Sequence, residues 1–234
     1  GFTHVKYVAK DSDLVLSRSE YYEKLYGFWL GQCIANWTGL STEMDKIGNV
    51  GDSNSGDFYT RNDWGGLSTR TEKRIDFVLK SPDEIWGSDD DTDIEYMYQH
   101  LLDVNNVSIL SPEQIREGWL NHIYSNENAP SGENFLWVSN ETAYYLMLKG
   151  MLPPETSEPE NNSNYSMIDA QLTTEIFGVL CPVRNDIALE MAHLPIRVTS
   201  KFDSEWVSKF YVSMHSLASQ VDSKLSIKDL SLIH

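Results

Sequence analysis

Three consecutive aspartates, Asp89, Asp90 and Asp91, carry the strongest chemical signal in this 234-residue sequence. They directly precede apolar residues at helical spacing, so they crowd the first turn of a predicted helix. Hard divalent cations prefer oxygen ligands of this kind, and Mg²⁺ commonly uses a few carboxylates together with waters. Helix capping is the simpler alternative, because Asp is a favoured N-cap and negative charge suits the positive end of the helix dipole. The apolar stripe comprises Ile94, Met97, Tyr98, Leu101 and Leu102.

Composition and charge exclude several classes of protein. The chain has 35 acidic and 18 basic residues, a formal net charge of −17. Such a charge disfavours contact with a phosphate backbone, so we expect no nucleic-acid partner. The sequence has no run of eighteen apolar residues, so we also expect no membrane span. The length and a hydrophobic content of 41% suit one well-buried domain.

Cysteines and glycosylation signals leave the cellular compartment open. Cys33 and Cys181 both lie in apolar surroundings, where free buried thiols are the usual state. The first residues lack the basic and apolar regions of a signal peptide, although a processed chain would have lost one. Asn-x-Ser/Thr sequons have meaning only in a secretory protein. Five of them begin at Asn36, Asn106, Asn140, Asn161 and Asn164.

Hydrophobic periodicity predicts an all-α fold. No convincing alternation typical of a strand is found, and one helical domain is predicted over 19–219, with an N-terminal extension over 1–18 and a tail over 220–234. Residues 44–82 are predicted to form a long irregular insertion, and 155–165 a surface loop. Beyond the helix that follows the aspartates, helices are predicted over 19–37, 111–123, 140–148, 167–178, 184–194 and 203–219.

A stripe of small residues marks the first predicted helix. Gly27, Gly31 and Ala35 recur every four residues, and each glycine costs a helix about 1 kcal/mol relative to alanine. This pattern predicts the close approach of another helix, or a requirement of a nearby site.

Aromatic and histidine residues give weaker indications. The seven tryptophans are predicted to lie mostly in the core, as in the last helix, where Trp206 and Phe210 stand at helical spacing. Trp64 and Trp86 flank the acidic segment, where stacking on a base or sugar is the alternative. The histidines at 100 and 122 are predicted to be structural residues satisfied by partners.

The ordered set of motifs resembles the ADP-ribosylglycohydrolase family. Residues 24–43 resemble the Gly-rich helix of that family and the G-D-A-L-G-x-P-x-E segment into which it runs, with Gly39 and Glu43 at the expected places. Asp90-Asp91-Thr92 matches the Ser/Thr-Asp-Asp-Thr metal motif, with Asp89 where Ser or Thr is usual. Further along, 168–178 resembles the family's middle helix, and 188–219 the helical pair after it.

This resemblance implies a compact multi-helix bundle with two Mg²⁺ ions in a central cleft. The implied activity is hydrolysis of a glycosidic bond to an ADP-ribosyl group, carried by a small molecule or a modified protein. Asp90 and Asp91 would ligate metal, and Asp89 would take the Ser/Thr ligand position. Glu43 would be a ligand or the general acid/base on the entry loop. We therefore expect Glu43 and the three aspartates to converge on one cleft.

Three departures from the family pattern support a second hypothesis. Asn36 replaces an aspartate, and Ser200 stands about where a histidine often follows the middle helices. The second metal motif of the family, Asp-x-Asp-Ser/Thr, is not found downstream in these 234 residues. Asp11-Ser12-Asp13 has a similar sequence, but it lies near the N-terminus. We therefore expect one of two cases. Either a further C-terminal segment or a second chain completes the metal site, or the protein is a non-catalytic, crystallin-like relative with a structural or ligand-binding role.

Overall fold

The fold was analysed in a computed structural model that describes residues 8, 10–11, 15–39, 61–67, 74–76, 81, 83–84, 88–220, 226 and 228. Eight α-helices lie in these ranges, and the described residues form no strand, only an isolated bridge between Leu67 and Arg74. The all-α prediction is therefore confirmed for this part of the chain. The helices are α1 (Arg18–Gly39), α2 (Asp90–Asn105), α3 (Pro112–His122), α4 (Val138–Leu148), α5 (Asp169–Thr173), α6 (Ile176–Leu180), α7 (Asn185–Ile196) and α8 (Asp203–Ala218).

The apolar stripe of α2 forms the centre of the core. Ile94, Tyr98 and Leu101 are buried, and Trp119 of α3 packs among them with 1% of its surface exposed. The indole Nε1 of Trp119 donates a hydrogen bond of 3.1 Å to the hydroxyl of Tyr98. Because the indole N–H and the hydroxyl oxygen pair with each other, neither polar atom of these two large side chains is buried without a partner.

A capping box starts α3, within the range of the helix predicted over 111–123. The hydroxyl of Ser111 accepts a hydrogen bond from the backbone N–H of Gln114, and the Gln114 side chain accepts one from the backbone N–H of Ser111. Pro112 occupies the first turn, where its missing N–H has no helical partner to lose.

We predict that Ser111→Ala lowers the free energy of unfolding by about 1 kcal/mol, because the N-terminal amides of α3 lose their cap. Urea denaturation measures this loss. Ser108→Ala, at an exposed position before α3, is the matched control and should change stability by less than about 0.5 kcal/mol. Equal losses in the two variants would contradict the role given to the cap.

The single helix predicted over 167–178 is instead two short helices, α5 and α6. Thr173 and Thr174 hydroxyls donate to the carbonyls of Asp169 and Ala170, so they hydrogen-bond to α5 itself. The backbone N–H of Ile176 donates to the Glu95 carboxylate at 2.8 Å. A buried side chain from α2 thus satisfies the start of α6, which periodicity along one segment does not reveal.

Close helix packing occurs at Gly178 rather than along the predicted stripe in α1. A Cβ built on Gly178 would lie 2.1 Å from the carbonyl oxygen of Val212 in α8. At Gly27 and Gly31, by contrast, no described atom lies within 4 Å of a Cβ built there. These two glycines line a cavity of about 560 Å³ that also borders α6 and α8. The predicted close approach of another helix is therefore not found among the described residues.

The face of α8 that packs inward is small rather than aromatic. Ser208, Val212 and Ser216 are its buried residues, whereas Trp206 is 66% exposed and Phe210 43% exposed. The prediction of a largely buried set of tryptophans is wrong for Trp206 and also for Trp137, which is 54% exposed. The tight crossing at Gly178 explains the difference in α8, because only small side chains fit next to it.

The predicted surface loop over 155–165 is partly buried. Thr156, Ser157 and Asn162 have no exposed surface, and the loop begins with a 3₁₀ turn over Glu155–Ser157. Arg197, after α7, donates to the Ser157 hydroxyl at 2.9 Å and pairs with Glu158 at 2.7 Å. These contacts fix the loop against the helices that follow it.

Two further sequence predictions can be compared with the structure. Cys33 and Cys181 are both free thiols, as predicted. Among the described residues, no helix is long and apolar enough to cross a membrane.

Candidate functional site

The N-terminus of α2 brings the three aspartates against α1. Asp89 is the N-cap, and its Oδ1 accepts a hydrogen bond of 3.2 Å from the backbone N–H of Thr92. Its other oxygen, Oδ2, accepts a hydrogen bond from the side-chain amide of Asn36 in α1. Asp90 and Asp91 follow as the first two residues of the helix. Asp89 therefore has the capping role that the simpler interpretation gave it.

A buried carboxylate from α5 lies close behind this turn. Asp169 is 6% exposed, and its Oδ1 accepts a hydrogen bond of 3.2 Å from the backbone N–H of Asn140 in α4. Neither Asp169 Oδ2 nor the side-chain oxygen of Asn140 has a hydrogen-bond partner among the described residues, and both atoms are buried. Among the described residues these two acceptor oxygens have no regular hydrogen bond, although the Ser139 hydroxyl lies near enough to Asp169 to lower its pKa.

The crowded carboxylates change one another's acidity. Burial raises the pKa of Asp91 to about 8, with further contributions from the negative charges of Asp90, Asp89 and Asp169. Burial also raises the pKa of Asp90 to about 6, and the negative charge of Asp89 is the next largest cause of this increase. A carboxylate in such surroundings is stabilised by a proton or by a bound cation, since either one removes the unfavourable charge.

Two glutamates form a second buried acidic pair beside the aspartates. Glu95 has no exposed surface, and it accepts hydrogen bonds from the Gln32 side chain and the Ile176 backbone. Burial raises the pKa values of Glu95 and Glu175, and the contact with Glu95 raises that of Glu175 further. Because two adjacent buried carboxyls do not readily ionise together, the pair retains a proton near neutral pH.

A large cavity opens next to Asp90. Its volume is about 840 Å³, and Asp90 and Asp93 stand in its wall. The rings of His100 and His122 also line it and meet edge to face, with centroids 5.1 Å apart. Both histidines are exposed, so their predicted role as structural residues satisfied by partners stays a prediction. Aromatic side chains complete the lining at Tyr96, Tyr124 and Phe135.

The structure unites only part of the predicted site. Asp89, Asp90 and Asp91 lie together, whereas Glu43 lies outside the described residues, so its convergence with them remains a prediction. Trp86 also lies outside them, and Trp64 is not among the described residues that line the cavity. The described residues contain no group of three or more His, Cys, Asp or Glu side chains that could hold a metal ion.

Sequence reasoning missed the buried and half-buried acids and amides around the aspartates: Asp169, Asn140, Glu95, Glu175 and Gln32. One signal was available, because Glu95 is charged yet shares a helix face with Asp91, Tyr98 and Leu102. A carboxylate on the inner face of a helix requires a partner. No sequence signal identified Asp169, whose neighbours come from α2 and α4 and are far away along the chain.

Comparisons with protein-family models, with curated proteins and with solved structures give no match for this chain. The described part of the chain therefore defines an all-α protein that has a cluster of buried and half-buried carboxyls beside an aromatic-lined cavity.

We predict that Asn36→Asp lowers the free energy of unfolding at pH 7 by roughly 1–3 kcal/mol in the presence of EDTA. The substitution removes the amide donor to Asp89 and places a second carboxylate beside it. Thermal or urea unfolding measures the loss. Asn121→Asp, at an exposed position of α3, is the control and should cost only a few tenths of a kcal/mol. A stability unchanged by Asn36→Asp would contradict a functional contact between α1 and Asp89.

Proposed function

We propose that this protein is a Mg²⁺-dependent glycohydrolase that cleaves a glycosidic bond to a ribose-type group such as ADP-ribosyl. The observation that carries the proposal is the position of Asp90, which belongs both to the crowded acidic turn and to the wall of the 840 Å³ cavity. A cavity of this volume suits a drug-sized or nucleotide-sized molecule. The resemblance of the ordered motifs to ADP-ribosylglycohydrolases names the substrate class.

The residues of the cavity suit this chemistry. A carboxyl with a pKa of about 6 can donate or accept a proton near neutral pH, and Asp90 is such a group. Tyr96, Tyr124 and Phe135 offer flat apolar surfaces for a sugar or a base. In the proposed reaction, Asp90 stands at the polar end of the bound substrate, and the exposed aromatic side chains stack on the rest of it.

The acidic turn also fits a hard divalent cation. Its donors are all oxygens, and a buried oxygen of Asp169 beside it has no partner among the described residues. Mg²⁺ is often held by one or two carboxylates and several waters, so a ready-made set of three side chains is not required. Asp90 and Asp91 would hold the ion, with Asp89 in the Ser/Thr ligand position that the resemblance gives it. Each oxygen of Asp89 accepts one hydrogen bond and keeps a further lone pair for the ion. When bound, the ion supplies positive charge that orients sugar hydroxyls and polarises water.

Glu43 completes the proposal as the general acid/base or a further ligand, on the strength of the resemblance alone. Its place in the family motif is four residues after Gly39, where α1 ends.

The proposal is tested by incubating the full-length protein and Mg²⁺ with ADP-ribosylated proteins and small ADP-ribosyl compounds. We expect release of ADP-ribose, and a loss of about 10²–10⁴-fold in turnover for Asp90→Asn. Asp103→Asn, at an exposed position in the last turn of α2, should retain full activity. Absence of turnover in the wild type, or equal turnover in Asp90→Asn, would overturn the catalytic assignment.

A non-catalytic ligand-binding role is the second candidate. It is favoured by Asn36, whose amide donates to Asp89, and by Ser200, which is fully buried beside Thr199 and is not among the residues that line the cavity. Calorimetry with ADP-ribose separates the two candidates. Binding without turnover of any ADP-ribosyl compound would support this role, whereas turnover that is lost in Asp90→Asn would exclude it.

A further inference from the structure

A second cavity lies between α1, α6 and α8, and it shares no described lining residue with the cavity beside Asp90. Its volume of about 560 Å³ is enough for a small organic molecule. Gly27, Gly31 and Ala35 line it along α1, and no described atom lies within 4 Å of a Cβ built on either glycine. The stripe of small residues in α1 therefore borders open space.

Acceptor oxygens gather where this cavity approaches α2. Glu175 and Gln32 stand in its wall, and the Gln32 amide donates a hydrogen bond to the buried carboxylate of Glu95. Glu175 Oε2 and Gln32 Oε1 are buried, and neither has a hydrogen-bond partner among the described residues. In the described part of the chain, no salt bridge joins Glu95 or Glu175 to a basic side chain. This end of the cavity thus has unpaired acceptors and two carboxyls without a cation.

The unpaired oxygen of Glu175 can reach a molecule in the cavity. The last torsion of a glutamate side chain is broad, so a small rotation about it redirects the carboxyl oxygens at little cost. Because Glu175 already lines the cavity, such a rotation brings Oε2 to the cavity surface. A donor bound there would satisfy an acceptor that otherwise costs roughly 1–3 kcal/mol when buried and unpaired.

The rest of the wall suits an apolar body. Phe28, Val179 and Ala218 contribute apolar surface, and His215 meets the Phe28 ring edge to face with centroids 5.5 Å apart. Burial lowers the pKa of His215 to about 4, so its ring is neutral at pH 7. This imidazole therefore adds no positive charge to the cavity.

Lys24 also lines the cavity, but at the opposite end of the α1 wall. It precedes Gln32 by eight residues, which corresponds to about 12 Å along the helix axis. Its charge acts on Glu20, one turn away, where it helps to lower the pKa of that carboxyl. The end of the cavity at Gln32 and Glu175 therefore has acceptors without a nearby lysine of this wall.

We propose that this cavity binds a small organic ammonium ion, with its head group at Glu175 and Gln32 and its apolar body against Phe28 and Val179. An ammonium group combines three N–H donors with a positive charge, so it satisfies both unpaired oxygens and balances the buried carboxyls. A hydroxyl group supplies a donor without the charge, and a carboxylate adds charge of the wrong sign. This site lies outside the proposed glycohydrolase site and goes beyond that function.

Calorimetric titration of the full chain with three probes of similar shape tests the proposal. The probes are 3-phenylpropylamine, 3-phenylpropanol and 3-phenylpropanoate, each titrated at pH 7 in EDTA. The amine should bind at least about tenfold more tightly than the alcohol, because its hydrogen bonds are charge-assisted. The propanoate should not bind at millimolar concentrations.

Two variants locate the bound amine. Glu175→Gln keeps the size of the side chain and its polar contact with Glu95 while it removes the charge, and it should weaken amine binding by about 10–100-fold. Gly31→Leu fills the cavity from α1 without changing either acceptor, and it should abolish binding of the amine and the alcohol. Glu117→Gln, at an exposed position of α3, should bind the amine as the wild type does. Circular dichroism of each variant establishes that it is folded.

Several results would overturn this assignment. It is wrong if no probe binds at millimolar concentrations, if the alcohol binds as tightly as the amine, or if the propanoate binds more tightly than the amine. Amine binding that neither Glu175→Gln nor Gly31→Leu weakens would place the amine elsewhere on the protein, and the assignment would fail in that case also. None of these results bears on turnover of ADP-ribosyl compounds, since the two cavities have no described lining residue in common.

Discussion

Gly178→Ala is expected to destabilise the protein by roughly 3 kcal/mol, the upper part of the range for overpacking a well-filled interior. The added methyl group would stand 2.1 Å from the Val212 carbonyl oxygen and 2.9 Å from the Ser216 nitrogen. Both are backbone atoms of α8, so α6 and α8 would have to move apart. Urea unfolding followed by tryptophan fluorescence measures the effect.

The same substitution at Gly27 or Gly31 is the matched control and should have the opposite sign. Neither site has a described atom within 4 Å of the added Cβ, and both lie inside α1. Alanine should therefore stabilise the protein by up to about 1 kcal/mol at each site. If Gly178→Ala unfolds at the same urea concentration as the wild type, the close crossing of α6 and α8 is wrong. A loss at Gly27 or Gly31 would indicate instead that the cavity beside α1 is filled in solution.

The second large effect is a dependence of stability on pH that divalent cations reverse. In EDTA, the free energy of unfolding should fall as pH rises from 7 to 9. The pKa of Asp91 is about 8 in the folded protein, against an ordinary value of 3.8. The folded state therefore holds a proton that the unfolded state has lost. Stability linked to this proton is complete below about pH 4 and is lost as pH rises through about 8.

Mg²⁺ should restore this loss, because the cation replaces the proton between the carboxylates. At a hundred times its dissociation constant it should add about 2.7 kcal/mol, with the largest effect above pH 8. The pH range of 7–9 avoids a contribution from His215. Burial lowers the pKa of its imidazole to about 4, so this group reduces the free energy of unfolding only as pH falls below about 6.5.

Three variants identify the source of the response to Mg²⁺. Asp91→Asn should reduce the pH dependence in EDTA without abolishing it, because Glu175, with a pKa of about 9, loses its proton in the same range. Asp90→Asn combined with Asp91→Asn should remove most of the response to Mg²⁺. Asp186→Asn is the control, because Asp186 is exposed and paired with Arg184 at the start of α7. If neither Mg²⁺ nor EDTA changes the melting temperature of the wild type at pH 9, the aspartates bind no cation and serve only to start α2.

The sequence by itself determined the helices with strong caps and clear periodicity. The 3.6-residue spacing located α1, α3 and α8 within one or two residues, and it predicted a helix directly after the aspartates, where α2 lies. It also identified the turn at Asp89–Asp91, because a run of carboxylates before an apolar stripe is a local pattern. These features depend on neighbouring residues, so a single sequence contains the information for them.

Only the tertiary structure decided which distant groups surround that turn. Glu95 of α2 satisfies the start of α6 and divides one predicted helix into two, and Asp169 lies buried behind the turn. Gly178, rather than the stripe in α1, permits the closest helix crossing. Each of these depends on contacts between segments far apart along the chain, and hydrophobic periodicity specifies a face of a helix but not its neighbour. The burial that raises the pKa values of Asp90 and Asp91 arises from those contacts, so the chemistry of the site depends on the fold.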